Sequence, residues 1–544
     1  MRLNREVTAM IDLDMLSCGS GFSLHTGTPR LALVHHGFRA NQIGFADARQ
    51  DRFTDRYASL GLLNLARSAQ ADYESKRIPH RPEFRYFDED HYADDAHLAE
   101  GITEWLRPAE ARFVLVSLYS LAFERTAKML AMLDPTEVCI VIGGAHPTMA
   151  PRADFAHVVV RGEGGAALRH ILTELLEPSF GQGPEARGIC FTRGGESHMS
   201  PPAFDRSLAT IPAPAFRYDL TRSPDNSVER VRVRWWKSLG SRPQIYICTQ
   251  SCRSRCSFCS TYVIHGNLVS RPVSLVSADL DYVIDELGHD SIEFHDDDLL
   301  QHDELDGLLD CLGARGVPWS CNARAEFMDS EIAGKLYRAG CRKVFLGIES
   351  LNQRTLDYYR KGTTVEMNQN AVRALDAVGI GVVCGFIIGA PHDTVDSIVS
   401  DIDRVLELPI VFLSSAILTP DIGTAEFSRA KKRIPLLNSL GDEGTRMNIR
   451  PRPDLFGTET PYGLPTVCEA VSKKQLNELY ALANCSFFLK ASSVARIARL
   501  TPADRMEEAE AWCSVQLERA RELAESAELD VVRTRAAELL AARI

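Results

Sequence analysis

The sequence lacks any apolar run as long as the about 18 residues that a membrane-spanning helix requires. Its longest apolar stretches, such as GVVCGFIIGA (381–390), have the length of buried strands. The first 30 residues contain Arg2, Arg5, Asp12 and Asp14 and no sustained apolar segment, so no secretory signal is visible. We therefore expect no membrane span and a cytoplasmic location, where thiols stay reduced.

An excess of basic residues is missing as well. The 544 residues include 61 Lys and Arg against 73 Asp and Glu, which gives a net charge of −12. A protein that follows nucleic-acid phosphates needs a basic face, so we expect no nucleic-acid partner. The 45% hydrophobic and 25% charged residues are typical of a folded globular protein, and the length predicts roughly three domains.

The chain contains 14 cysteines, but the compact group among them has no second Cys/His pair of the kind that usually completes a structural zinc site. Four cysteines lie in CTQSCRSRCSFC: Cys248, Cys252, Cys256 and Cys259. Closely spaced cysteines in one loop are typical of iron–sulfur clusters. Four thiolates would close such a site completely, whereas three would leave one metal position open for chemistry.

Two series of alternating strands and helices indicate an α/β protein. In the first series, RLALVHHG, RFVLVSLYS, EVCIVIGG and HVVVRGEG read as buried strands separated by amphipathic helices, as in a Rossmann-like, doubly wound sheet. Ligands of such sheets bind beyond the carboxyl ends of the strands. Residues at these ends include Gly143, Gly144, His146, Gly162 and Glu163. The glycines permit close backbone approach to a ligand, but they also make turns.

The second series predicts six βα units, which fit a partial (β/α)6 barrel with chemistry at the carboxyl ends of its strands. Its strands read QIYICT, SIEFHDD, PWSCNAR, KVFLGIES, GVVCGFIIG and IVFLSSAIL. The predicted organisation is an N-terminal extension (1–30), a doubly wound domain (31–180), a linker (181–240), the barrel (241–440) and a helical C-terminal domain (441–544).

The cysteine spacing in CRSRCSFC, with aromatic Phe258 before the last cysteine and a barrel strand before the loop, resembles the radical S-adenosylmethionine (SAM) superfamily. The resemblance implies that Cys252, Cys256 and Cys259 bind three irons of a [4Fe–4S] cluster and are essential for catalysis. The amino and carboxylate groups of SAM would bind the fourth iron. Cys248 is then predicted to be a buried strand residue.

Further positions resemble the family's SAM contacts, in order along the barrel. Asp297 in FHDDD suits the SAM ammonium, and Arg324 in CNARAE could pair with its carboxylate. Glu349 in GIES resembles the residue that reaches the ribose or amine. Gly385 and Ile387 in GFIIG resemble the strand that packs on adenine. An acidic helix cap is the structural alternative for FHDDD.

The segments YASLGLLNLA, GGAHPT and VVRGEGG resemble the cobalamin-binding domain of cobalamin-dependent radical SAM enzymes. The resemblance covers about residues 31–440. It implies that cobalamin is lined by seven residues: Tyr119, Gly143, Gly144, His146, Thr148, Gly162 and Glu163. Another cobalamin family supplies an axial histidine through D-x-H-x-x-G, and that motif is missing here. We therefore predict that no histidine of this domain ligates the cobalt.

The resemblance implies a class B methyltransferase that methylates an unactivated carbon of a small-molecule, natural-product or peptide substrate. It would use a 5′-deoxyadenosyl radical, methylcobalamin and an external electron donor of flavodoxin or ferredoxin type. A non-methylating enzyme that performs cyclisation, ring contraction or rearrangement is the main alternative. A tRNA methylthiotransferase would need three further clustered cysteines upstream, and an electron carrier would leave the barrel motifs unexplained.

Overall fold

Two series of buried parallel strands organise the protein. The computed structural model describes residues 11–17, 27–36, 58–119, 122–151, 153–221, 239–434, 437, 466–501 and 503–542. These residues form two compact units. Unit 1 contains described residues from 11 to 221 together with 261–271, and unit 2 contains 239–260 and the described residues from 272 onward.

The sheet of unit 1 has the strand order β2-β1-β3-β4-β5-β6-β7. The first five are parallel neighbours and the last two are antiparallel, which is the doubly wound arrangement predicted from the sequence. The strands of the unit are β1 Pro29–His35, β2 Glu83–Asp88, β3 Ala111–Ser117, β4 Cys139–Gly143, β5 Val158–Val160, β6 Ile189–Arg193, β7 Glu196–His198 and the short β10 Val269–Ser270. Strands β6 and β7 come from the segment predicted as a linker.

The helices of unit 1 cover this sheet through an apolar core that includes Phe87, Ile102, Val114 and Ile140. Polar side chains start the longer ones: Ser59 accepts a hydrogen bond from Leu62 N–H. The helices are α1 Asp14–Ser17, α2 Leu60–Glu74, α3 Asp95–Leu106, α4 Phe123–Leu130, α5 Ala145–Met149, α6 Gly165–Glu174, α7 Ser207–Thr210 and α8 Thr261–His265, with 3₁₀ turns at Glu89–His91, Pro184–Ala186 and Tyr218–Thr221.

Six parallel strands form the main sheet of unit 2, in the order β15-β14-β13-β12-β11-β8. This is the predicted partial barrel, with all carboxyl ends at one rim. The strands of the unit are β8 Pro243–Tyr246, β9 Thr249–Gln250, β11 Ser291–Phe294, β12 Trp319–Arg324, β13 Cys341–Glu349, β14 Gly381–Ile388 and β15 Phe412–Ile417.

The barrel helices of unit 2 alternate with its strands. They are α9 Val273–Asp281, which continues as the π-helix Tyr282–Glu286, α10 Leu305–Arg315, α11 Ser330–Arg338, α12 Gln353–Tyr359, α13 Val365–Ala377, α14 Val395–Leu406 and α15 Ala425–Arg433, with 3₁₀ turns at Leu299–Gln301 and Ala325–Phe327. Thr394 starts α14 with a reciprocal capping box to Ser397.

The C-terminal region is helical, as predicted. Its helices are α16 Lys473–Leu489, α17 Ala491–Leu500, α18 Met506–Ser526 and α19 Asp530–Ala541, with a 3₁₀ turn at Ala503–Arg505. Helix α16 packs on edge strand β15, where Phe488 lies 5.0 Å from Phe412 between ring centres and Asn484 donates to Ser415 Oγ. In the described part of the chain, none of the helices has the length and apolarity that crossing a membrane would demand.

Candidate active site

The three-cysteine loop begins directly after β9, at the carboxyl end of the first barrel strand. Cys256 is buried, and Cys252 and Cys259 are half-buried. The loop folds tightly, since Cys259 N–H donates to the Cys256 carbonyl and Ser254 N–H points at Cys252 Sγ over 3.4 Å. Three thiols therefore share one short loop at the rim where barrel chemistry takes place.

Ser257, between two of the cysteines, anchors the loop to the barrel. Its N–H donates to the Tyr359 carbonyl over 2.7 Å, and its own carbonyl accepts from Glu426 N–H over 2.8 Å. Glu426 is fully buried and accepts hydrogen bonds from the Tyr358 hydroxyl. The next residue, Phe258, packs edge-on against Tyr359 with ring centres 5.2 Å apart. These contacts set the path of the chain between Cys256 and Cys259.

The environment of Cys248 differs from that of the three loop cysteines. It is buried as expected, but it occupies a bend between β8 and β9 rather than the strand itself. Its N–H and sulfur face Asp296 Oδ1, which also accepts from the hydroxyl of Thr249 over 2.6 Å. Burial raises the pKa of Asp296 to about 6 despite these donors.

The three aspartates after β11 have different environments. Asp297 is exposed and accepts from Ser251 N–H over 3.0 Å, so its carboxylate lies at the start of the cysteine loop. Asp298 is buried and starts the 3₁₀ turn Leu299–Gln301 by accepting from Leu300 N–H. The predicted acidic cap thus describes Asp298, whereas the Asp297 carboxylate is directed at the start of the cysteine loop. The sequence alone did not distinguish Asp296, which caps the end of the first strand.

Arg324 ends β12 beside the cysteine loop. Its Nη1 donates to Cys256 Sγ over 3.0 Å, and Nε and Nη2 form a fork with Glu326. Nη2 also contacts the Lys361 carbonyl. Glu326 and Cys256 raise the pKa of Arg324 above its ordinary value although burial lowers it, so the group is a permanent cation.

Glu349 ends β13 at an irregularity of the sheet. The register between β13 and β14 shifts between Gly347 and Glu349, and Glu349 has φ +63°, which is unusual for a residue with a side chain. Lys361 Nζ donates to its carboxylate over 2.8 Å, and both side chains are nearly buried. The bulge turns Glu349 onto Lys361, a partner that the sequence motif did not reveal.

Two glycines lie opposite each other on neighbouring strands of the barrel and are closely packed by other side chains. Gly385 on β14 is the register partner of Gly347 on β13. A Cβ at Gly385 would lie 3.0 Å from the Phe345 ring, and one at Gly347 would lie 2.6 Å from Glu349 Oε1. Ile387 follows on β14 and packs with Phe258 against the same apolar cluster. The strand-five motif therefore lies beside the cysteine loop.

In unit 1, four predicted residues lie at or just after the adjacent ends of β3 and β4. Tyr119 is 49% exposed. Gly144 has φ +98°, and a Cβ there would lie 2.9 Å from Ser117 Oγ. At Gly143 the nearest atom to a Cβ would be 3.7 Å away. His146 is fully buried, with its ring 4.7 Å from that of Phe123.

Thr148, Gly162 and Glu163 form the next part of this edge. The Thr148 hydroxyl donates to the Gly144 carbonyl and accepts from Gly162 N–H, both over 2.8 Å. Gly162 has φ +85°, and a Cβ there would lie 2.0 Å from the Ala203 carbonyl oxygen. The lack of a side chain at Gly162 therefore makes room for the backbone of Ala203. Glu163 Oε1 lies 3.8 Å from His265 Nδ1.

The segment 261–271, which directly follows the cysteine loop in sequence, belongs to unit 1. Its helix α8 packs on α5, the helix that carries His146 and Thr148. At the end of the segment, the fully buried Arg271 donates to the carbonyls of Leu208 and Ile211 over 2.9 Å each. The sequence did not indicate that this segment leaves the barrel unit.

Comparison with known proteins agrees with this arrangement. Residues 246–405 match the sequence profile described as Radical SAM superfamily. The chain therefore contains a radical SAM domain.

Among curated proteins, it is 26% identical over 307 residues to an uncharacterized methyltransferase of Pyrococcus horikoshii, covering 53% of this chain and 62% of that protein. It is 27% identical over 303 residues to the bacteriochlorophyllide d C-12(1)-methyltransferase of Chlorobaculum tepidum, covering 54% and 60%. An anaerobic magnesium-protoporphyrin IX monomethyl ester cyclase of Cereibacter sphaeroides is 25% identical over 320 residues, covering 56% and 50%. The chain thus spans less than two thirds of the length of each of these relatives.

Solved structures share the fold over a larger part of the chain. The cobalamin-dependent SAM radical enzyme OxsB, solved with aqua-cobalamin, matches with a TM-score of 0.63 at 13% identity, covering 95% of this chain and 76% of that one. The radical SAM methyltransferase TsrM from Kitasatospora setae, solved with cobalamin and a [4Fe–4S] cluster, matches with a TM-score of 0.56 at 16% identity, covering 75% of each chain. The chain thus shares the fold of OxsB and TsrM, which confirms the fold that the sequence resemblance implied.

Proposed function

We propose that this protein is a cobalamin-dependent radical SAM methyltransferase that methylates an unactivated carbon of a small-molecule or natural-product substrate. The observation that carries the proposal is the position of Cys252, Cys256 and Cys259, three thiols in one loop at the carboxyl rim of a parallel barrel. Three thiolates suit a [4Fe–4S] cluster with one open iron. When bound, the cluster supplies an electron for SAM cleavage and cobalamin supplies a methyl-carrying cobalt.

In this proposal the barrel residues bind and orient SAM. The exposed Asp297 carboxylate accepts the ammonium group, and the Arg324 guanidinium faces the carboxylate. The Glu349 carboxylate, which is held by Lys361, accepts a hydrogen bond from a ribose hydroxyl or from the amine. Gly385, the register partner of Gly347, lies on the strand that packs on the nucleoside, and Ile387 of the same strand contacts adenine.

The edge formed by the ends of β3, β4 and β5 in unit 1 would hold cobalamin. The exposed ring of Tyr119 offers a flat apolar contact, and the chain at Gly143 has room for close approach. His146 is buried in the helix that follows β4, and the Thr148 hydroxyl links Gly144 to Gly162 at this edge, with Glu163 next in sequence. The relation of the fold to OxsB and TsrM supports this assignment.

SAM cleavage consumes an electron, so the enzyme would require an external donor of flavodoxin or ferredoxin type. The substrate is a small molecule or a peptide. A second candidate function is a non-methylating cobalamin-dependent reaction such as oxidative cyclisation. The similarity to the Cereibacter sphaeroides cyclase favours this alternative, whereas two of the relatives named above are described as methyltransferases.

Product analysis of the anaerobically reconstituted protein distinguishes the two. With SAM, cobalamin and a reductant, methyl transfer should release S-adenosylhomocysteine together with 5′-deoxyadenosine and leave a product heavier by one methylene. Release of 5′-deoxyadenosine without S-adenosylhomocysteine would support the non-methylating reaction. Release of neither compound from protein with a complete cluster would contradict both.

A further inference from the structure

Gln301, at the end of the 3₁₀ turn after β11, places its side-chain amide against one of the three loop cysteines. Gln301 Nε2 lies 3.2 Å from Cys252 Sγ, although the two residues are 49 positions apart. The residue is only 4% exposed, so water competes little with the amide for this contact. Sequence motifs did not single out this position, because a glutamine after a run of aspartates has no signature of its own.

Neighbouring groups determine which way the amide faces. Gln301 Oε1 accepts from Arg253 N–H over 2.8 Å, and Nε2 donates to the Asp298 carboxylate over 2.8 Å. A reversed amide would place its oxygen against the carboxylate and its NH₂ against an N–H group. The two hydrogens of the NH₂ group are therefore directed at Asp298 and at Cys252.

The backbone around Gln301 is held as firmly as its side chain. Arg253 Nη1 donates to the Gln301 carbonyl over 2.8 Å, and its Nη2 pairs with Asp303. Asp298 starts the turn by accepting from Leu300 N–H. Since Arg253 and Cys252 are adjacent in sequence, the amide and the thiol are fixed to the same piece of backbone.

From this geometry we infer that Gln301 is a positioning residue that raises the reduction potential of the cluster bound by Cys252. Reduction adds negative charge to the cluster and its thiolate sulfurs, and an N–H donor stabilises the reduced form more than the oxidised form. Gln301 thereby makes the cluster easier to reduce by its electron donor. The inference rests on the proposed function only in requiring that the three cysteines hold a cluster.

The test is a potentiometric titration of the reconstituted full-length protein, followed by electron paramagnetic resonance of the reduced cluster. Gln301→Glu is nearly isosteric and keeps an acceptor for Arg253 N–H, but it removes the N–H donor to Cys252. We expect a more negative midpoint potential, with about a tenfold fall in the reduction equilibrium constant, or about 59 mV for a one-electron couple. Gln301→Met removes the donor without adding charge and should shift the potential in the same direction by a smaller amount.

Gln353→Glu is the matched control, because it adds the same charge at the exposed start of α12. Its potential should equal that of the wild type. Equal potentials in the wild type and both Gln301 variants, at equal iron content, would overturn the inference while leaving the proposed function intact. Loss of the cluster from both Gln301 variants would assign the residue a structural role and also overturn it. A wild-type protein that holds no cluster would overturn the proposed function itself.

Discussion

Arg324 Nη1 donates a hydrogen bond to the sulfur of Cys256 across 3.0 Å, which ties the end of β12 to the cysteine loop. The remaining contacts of the guanidinium run to Glu326 and to the Lys361 carbonyl. Four of its five N–H donors are thus directed at described protein atoms. One N–H of Nη1 is left for an incoming anion, which suits the carboxylate of SAM.

Arg324→Lys should weaken SAM binding by about tenfold, since a lysine ammonium cannot hold Glu326, Cys256 and a ligand carboxylate at once. The SAM-dependent change in the resonance spectrum of the reduced cluster, titrated against SAM, measures this. Glu326→Gln keeps the guanidinium in place and serves as the comparison. Unchanged SAM affinity in Arg324→Lys would remove this residue from the SAM site.

Cys252→Ala, Cys256→Ala and Cys259→Ala should each abolish SAM cleavage, because each removes a ligand from a set of three. Cys248→Ala should retain the cluster, since the Cys248 sulfur is buried against Asp296. Iron and sulfide analysis after anaerobic reconstitution measures both effects. Loss of iron in Cys248→Ala alone, with the other three variants intact, would contradict the ligand assignment.

Two neighbouring glycine variants distinguish a role in ligand binding from a role in backbone conformation: Gly143→Ala tests the first and Gly144→Ala the second. Gly144→Ala should lower the stability by about 1–3 kcal/mol, because its φ is +98° and the new Cβ meets Ser117 Oγ at 2.9 Å. Gly143→Ala has room and should stay within about 0.5 kcal/mol of the wild type. If cobalamin approaches this edge, Gly143→Ala should still bind it more weakly. Thermal melts measure the stability of each variant, and equilibrium binding measures its affinity for cobalamin. Wild-type affinity in Gly143→Ala would show that cobalamin does not bind at this edge.

The cob(II)alamin form should show no nitrogen hyperfine splitting from a protein histidine. His146, the histidine at the predicted edge, is fully buried against Phe123, and the buried His36 contacts the Thr126 hydroxyl over 2.9 Å. Neither imidazole is therefore presented at the surface of unit 1. Electron paramagnetic resonance of the cobalamin-loaded protein tests this. A nitrogen splitting that disappears in His146→Gln would show the prediction to be wrong.

Asp401 makes the stability of unit 2 depend on pH. Its carboxylate accepts from Ser350 Oγ and Leu351 N–H, next to Glu349, yet burial raises its pKa to about 6. A pKa above the ordinary value of about 3.9 means that the protonated form is favoured by folding. Its stabilising contribution is present below about pH 4 and is lost as the pH rises through about 6.

Asp401→Asn removes this titration. The stability of the variant relative to the wild type should therefore increase between about pH 4 and pH 7, by about 3 kcal/mol. Thermal midpoints of both proteins across this range measure the difference. Parallel pH profiles would indicate that Asp401 does not titrate in this interval.

The sequence by itself determined the order of the strands and helices and the spacing of the three loop cysteines. Hydrophobic periodicity and the spacing of Cys252, Cys256 and Cys259 are local properties, which a chain carries whether or not it is folded. The doubly wound and barrel series were predictable for the same reason. The same local reasoning placed Cys248 inside a strand, whereas the chain bends there to meet Asp296.

The tertiary structure decided which distant groups meet at the rim. Gln301 reaches Cys252, Lys361 reaches Glu349, and Arg324 reaches Cys256, over separations of 49, 12 and 68 residues. None of these pairs has a sequence signature, because contacts between different strand ends depend on the register of the sheet. The assignment of residues 261–271 to unit 1 is likewise a result of packing. Local pattern thus specified the candidate ligands, and only the fold specified the groups that surround them.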